Sequence, residues 1–94
     1  MMKYEIMFIV RPNLEDADLK KVVKGFEDVF TKNGAKIESS KDMGSRELAY
    51  EINKFKTGYY YLYEISSKDN KASKEFTRLA NLSEDIIRHI TIKL

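Results

Sequence analysis

Residues 48–65 read LAYEINKFKTGYYYLYEI. Leu48, Tyr50 and Ile52 alternate with Glu47, Ala49 and Glu51; further on, Tyr59, Tyr61, Tyr63 and Ile65 alternate with Tyr60, Leu62 and Glu64. Alternation of this kind is the mark of a strand, because successive side chains of an extended chain point to opposite faces. Asn53 to Gly58 between the two runs is turn-like, so they pair as an antiparallel hairpin. What lies on each side of that hairpin decides the architecture.

Upstream, Lys3 to Val10 is a strand with Tyr4, Ile6, Phe8 and Val10 on one face and Glu5, Met7 and Ile9 on the other. Pro12 ends it, since proline cannot donate to a ladder. Asn13 is the expected N-cap of a helix whose first turns carry Glu15, Asp16 and Asp18, where the helix dipole favours negative charge. Leu19, Val22, Val23, Phe26, Val29 and Phe30 then follow the spacing of a single helical face, and Asn33-Gly34 closes the helix. Lys36 to Ile52 is extended, with a polar middle and a bend or bulge expected at Gly44. Downstream, Ser67 to Asn70 breaks the hairpin, Ala72, Phe76, Leu79 and Ala80 mark a second helix, and β-branched residues from Ile86 to Leu94 give a last strand.

The order β-α-β-β-α-β is the split βαβ, or ferredoxin-like, arrangement of an α+β domain. Right-handed crossovers place both helices on one face of a four-stranded antiparallel sheet and leave the other face bare. Ninety-four residues suit one such domain, spanning 1–94.

Composition narrows the chemistry. There is no cysteine, so neither a disulfide framework nor a thiolate metal site is available. His89 is the only histidine, it lies in a strand, and no Gly-x-Ser-x-Gly elbow accompanies it, which argues against a nucleophilic triad. The acids Glu15, Asp16 and Asp18 sit where a helix dipole wants them, and Glu84-Asp85 reads as a turn or cap. The glycines form no phosphate loop. No catalytic residue, metal or cofactor is expected. The longest apolar run, Ile6 to Val10, is too short to span a bilayer, and the N-terminus lacks a signal-peptide layout.

Seventeen basic residues against fifteen acidic leave a net charge of +2, so charge bears on function only through its distribution. Arg46, Lys54 and Lys56 flank the hairpin, while Lys3, Arg88 and Lys93 lie on the neighbouring first and last strands, where basic groups can meet phosphates. Met7, Ile9, Tyr60 and Leu62 fall on the face opposite the helices. A solvated sheet face prefers polar residues, so Met7, Tyr60 and Leu62 are the expected protein-partner face. The last strand can be read two ways, with Arg88, Ile90, Ile92 and Leu94 together opposite His89, Thr91 and Lys93, and period two alone does not say which set faces the core.

Three stretches carry a family likeness: Lys3-Tyr4-Glu5-Ile6-Met7-Phe8-Ile9-Val10 with Pro12, Gly44-Ser45-Arg46-Glu47-Leu48-Ala49-Tyr50-Glu51-Ile52-Asn53-Lys54 followed by Gly58-Tyr59-Tyr60, and Asn81 through His89. In this order and spacing, over essentially the whole chain, they resemble the bacterial small-subunit ribosomal protein S6 family. The resemblance implies a cytoplasmic, ribosome-bound structural protein. It also implies a heterodimer with ribosomal protein S18 on the central domain of the small-subunit ribosomal RNA. Carried over by position and charge, Lys3, Arg46, Lys54, Lys56 and Arg88 are the implied RNA-binding residues. Two alternatives share the topology. A stand-alone RNA-recognition module is suggested by the aromatic strand from Lys56 to Tyr63, though Met7 and Ile9 supply no rings on the first strand. A small acylphosphatase-like hydrolase would need a phosphate cradle after that strand, where Arg11-Pro12-Asn13 has an arginine but no glycine-rich loop.

Overall fold

A computed structural model describes residues 1–94. The elements run β1 (Met2–Val10), α1 (Asp16–Lys32), β2 (Lys36–Ile52), β3 (Phe55–Ser67), α2 (Lys71–Leu82) and β4 (Ile86–Lys93). The four strands form one antiparallel sheet in the order β2-β3-β1-β4, so β1 and β3 are central. This is the expected ferredoxin-like fold.

The core lies between one sheet face and the two helices. Tyr4, Ile6, Phe8 and Val10 of β1 meet Tyr61, Tyr63 and Ile65 of β3, Leu19, Phe26 and Phe30 of α1, and Phe76 of α2. Phe8 is the junction, with ring centroids 5.3 Å from Phe26, 5.5 Å from Tyr61 and 5.8 Å from both Tyr63 and Phe76. Tyr63 keeps a polar contact from inside this core, donating its hydroxyl to Glu27 Oε2 at 2.6 Å and so tying β3 to α1. Burial, then the adjoining carboxylate, pushes the Tyr63 hydroxyl far above the ordinary tyrosine range. It therefore stays protonated and able to donate. No helix is long and apolar enough to cross a membrane.

Two local expectations are corrected. Asn13 does not cap α1: its side-chain oxygen accepts from Arg11 Nη1 at 2.8 Å, and Glu15 stands at the N-cap without a side-chain bond. The Asn53–Gly58 turn is also tighter than expected. Only Asn53 (φ 51°) and Lys54 (φ 69°) form it, and β3 starts at Phe55. Two successive left-handed residues match the right-handed twist of the strands they join, which is why two-residue hairpin loops use them.

Gly44 has φ 75° at a register shift between Asp42 and Gly44, and its N–H donates to Asp42 Oδ1 at 2.8 Å, so the expected bulge is there. Gly58 is needed for a different reason. A Cβ on it would stand 2.4 Å from Ile9 Cγ2 and 3.2 Å from the Val10 carbonyl oxygen. Neither neighbour is the free end of a flexible chain. Gly58→Ala is therefore expected to destabilise the domain by about 1–3 kcal/mol, the usual range for overpacking. A urea titration in which the variant unfolds at the wild-type midpoint would show that this contact relaxes freely.

Candidate partner and nucleic-acid interface

The faces of β4 are set by a bulge. Ile9 pairs with Arg88, but the next residue, Val10, pairs with Ile86, which leaves Ile87 as an extra residue. Ile86 can thus enter the core beside Val10 while Arg88, two positions on, points to the opposite side. Ile90 and Ile92 follow Arg88 and are 38% and 49% exposed. His89 faces the helices instead. Its ring meets Phe76 edge-on at 5.7 Å, its Nε2 is 2.7 Å from Asn81 Oδ1, and burial lowers its pKa. This is a packed strand histidine.

Strand register then maps the helix-free face row by row. Lys36, Ser66 and Lys3 form one end. Next come Ser39, Glu64, Glu5 and Ile92; then Lys41, Leu62, Met7 and Ile90; then Gly44, Tyr60, Ile9 and Arg88; Arg46 beside Gly58 closes the other end. Met7, Tyr60 and Leu62 are half-buried rather than bare.

The reason is a feature that alternation alone does not reveal. Beyond Glu47, which pairs with Thr57, the outer strand has four residues (48–51) before Ile52 pairs with Phe55, whereas the inner strand has only Lys56. The excess bends the hairpin arm over the sheet. Leu48, Ala49, Tyr50 and Ile52 roof a shallow apolar cavity of about 170 Å³ floored by Met7, Ile9, Tyr60 and Ile90. Ile9 is left only 3% exposed. The arm is held by Arg88, whose Nη1 donates to the Tyr50 hydroxyl at 2.6 Å. The chain thus covers the Ile9–Tyr60 end of its own open face and part of Met7 and Ile90 beside it, while Leu62 and Ile92 lie outside the cavity and Ile90 stays partly accessible.

The basic candidates divide between the two ends. Arg46, Lys54, Lys56 and Arg88 gather on or beside the arm, all of them exposed. Arg46 folds back so that its Nε donates to the Met43 carbonyl at 3.2 Å. Lys54 sits at the tip of the turn and Lys56 on the inner strand of the arm. Lys3 is exposed in the opposite end row, six residues along β1 from Ile9, or ~20 Å at the rise of a strand. Near it, Glu38 accepts the Ser66 hydroxyl at 2.7 Å. That bond, aided by Lys36 and Lys3, lowers the Glu38 pKa.

The loop that a hydrolase would use is occupied by the protein itself. Arg11 Nε donates to Asp85 Oδ1 at 2.8 Å, its backbone N–H donates to the Asp85 carbonyl at 2.9 Å, and its Nη1 holds Asn13. An arginine fixed in this way staples the end of β1 to the start of β4 and is not aimed at a phosphate.

Comparison with known proteins agrees with this geometry. The family model described as ribosomal protein S6 matches residues 3–93. Among solved structures, the chain is similar to the crystal structure of 30S ribosomal protein S6 from Thermotoga maritima. That match has 29% identity over 99% of this chain and 87% of the other, with a TM-score of 0.89.

Proposed function

From the premise that this chain belongs to the ribosomal protein S6 family, and so is a structural, non-enzymatic protein of the small ribosomal subunit, we propose that it binds the central domain of the small-subunit ribosomal RNA as a heterodimer with ribosomal protein S18. Its place of work is the cytoplasm, on the ribosome. The observation that carries this reading is the division of the helix-free side into two surfaces. One is an apolar row of Leu62, Met7 and Ile90, suited to a protein. The other is a basic group of Arg46, Lys54, Lys56 and Arg88 around the projecting arm, suited to phosphates. Lys3 supplies a separate contact at the far end.

Arg88 has two roles in this account. In the free protein one of its N–H groups holds Tyr50, and the remaining donors can meet RNA without releasing that bond, since the guanidinium carries five. The RNA-recognition alternative needs exposed rings on both central strands. Met7 and Ile9 provide none on β1, and the arm roofs Ile9 and Tyr60, so protein pairing on this face is favoured over base stacking.

The test is the salt dependence of RNA binding by the protein with S18. Replacing both Lys54 and Lys56 by alanine should weaken binding and lower the slope of log K against log salt by about 0.7–0.9 per lost phosphate contact. A slope equal to that of the wild type would remove these two lysines from the RNA surface.

A further inference from the structure

In the row next to the Lys3 end of the open face, Glu5 and Glu64 stand directly opposite each other on the two central strands, with Ser39 on one side and Ile92 on the other. Like charges in direct cross-strand register oppose the pairing of the strands that carry them. No direct ion pair holds them: the protein's ion pairs are Arg11–Asp85 and Arg78–Glu75, so neither Glu5 nor Glu64 has a basic nitrogen within 4.0 Å, and the nearest lysines on this face, Lys3, Lys36 and Lys41, stand in the adjoining rows. Both are half-buried. The next row, Lys41, Leu62, Met7 and Ile90, is apolar apart from Lys41 on the outer strand, and Ile90 and Ile92 are open to solvent.

We infer that this part of the face is the seat of a basic polypeptide segment, an arginine or lysine reaching the Glu5–Glu64 pair while apolar neighbours cover Leu62, Met7 and Ile90. Charge complementarity selects this occupant. RNA phosphates that meet Lys3 in the adjoining row would be repelled from this row itself by the carboxylates, and a second copy docked about a two-fold axis through this row would bring the same acids against themselves. A guanidinium has a planar fork of donors that can engage two carboxylates at once, and in an apolar surround such charge-assisted bonds are strong. The inference rests on the heterodimer reading above and assigns residues and chemistry to its protein side.

The experiment measures binding of purified S18 to the full chain, by calorimetry at several salt concentrations, for wild type, Glu5→Gln, Glu64→Gln and the double variant. Glutamine keeps the shape and removes the charge. The double variant should be as stable to heat as the wild type or more so, because a repulsion is lost. It should bind S18 about ten- to a hundredfold more weakly, with a flatter salt dependence. Reversal by Glu5→Lys with Glu64→Lys should weaken binding further. If the glutamine and lysine variants bind S18 as tightly as wild type, the inference is overturned and the heterodimer stands. If wild type does not bind S18 at all, the heterodimer reading falls and the inference falls with it. If the double variant instead gains RNA affinity with S18 binding unchanged, the face belongs to RNA, and if wild type self-associates through Leu62, it belongs to a second copy; each outcome overturns the proposal.

Discussion

Phe8→Ala should lower the stability of the domain by about 3–5 kcal/mol, the range for deleting a buried aromatic ring. Phe8 is fully buried and its ring is the point at which the two central strands and both helices meet. Its removal leaves a void walled by Phe26, Tyr61, Tyr63 and Phe76. Three of these walls are themselves aromatic neighbours of a second ring: Phe26 and Phe76 lie 5.3 Å apart, and Tyr63 lies 5.6 Å from Phe30. Moving one into the gap breaks another contact, so the site cannot collapse cheaply. A domain of this length typically holds ~5–14 kcal/mol in total, so the variant would be close to marginal. Chemical denaturation should show a lower midpoint with an unchanged slope. A loss below about 1 kcal/mol would mean that the core is not organised around this ring. Phe55, only half-buried beside the turn at the tip of the arm, is the fitting control: its truncation should cost far less.

Leu62→Asp should have the opposite signature, a small effect on folding and a large one on assembly. Leu62 is half-buried on the open side, between Lys41 and Met7 in its row, and it lies outside the cavity roofed by the arm. An aspartate there remains in contact with water in the free protein, so the fold should lose no more than about 1 kcal/mol. In a complex the carboxylate would be trapped in the middle of an apolar contact beside Glu64 and Glu5. Residues at the centre of an interface dominate its energy, and a loss of about 2 kcal/mol or more is expected, equivalent to ~30-fold weaker binding of S18. The paired measurement is thermal unfolding of the free protein and calorimetric binding of S18. Unchanged affinity in a folded variant would move the partner site off this face. Tyr60→Ala is a less direct probe, because Tyr60 also floors the protein's own cavity, and its loss should disturb the arm as well as the partner.

Much of this protein was legible in its sequence because the relevant signals are local. The period-two runs of β1 and β3 name their core residues correctly, since alternation is a property of the pleat itself. The helical face from Leu19 to Phe30 depends on 3.6-residue spacing alone, and it packs as expected. The Gly44 bulge could be foreseen because a glycine amid an extended run marks a backbone that other residues rarely adopt. Motif order along the chain also carried the family, through to the helix-free face on which partners are proposed to dock.

Only the tertiary structure decided what that face looks like. Asn13 was drawn away from its capping role by Arg11, whose own position depends on Asp85, 74 residues away. The sidedness of β4 turns on one extra residue, Ile87, inserted where β1 and β4 adjust their register, and periodicity within β4 cannot report a shift relative to another strand. Tyr50 reads as an ordinary member of an alternating strand, yet it roofs the sheet because Arg88, 38 residues later, holds it there. Glu5 and Glu64 each look like a routine outward-facing acid until pairing of β1 with β3 sets them face to face. Local spacing determines which side of a strand or helix a residue occupies; which residue it then meets depends on register and packing between segments far apart in the chain, and those are settled only when the whole sheet closes on its core.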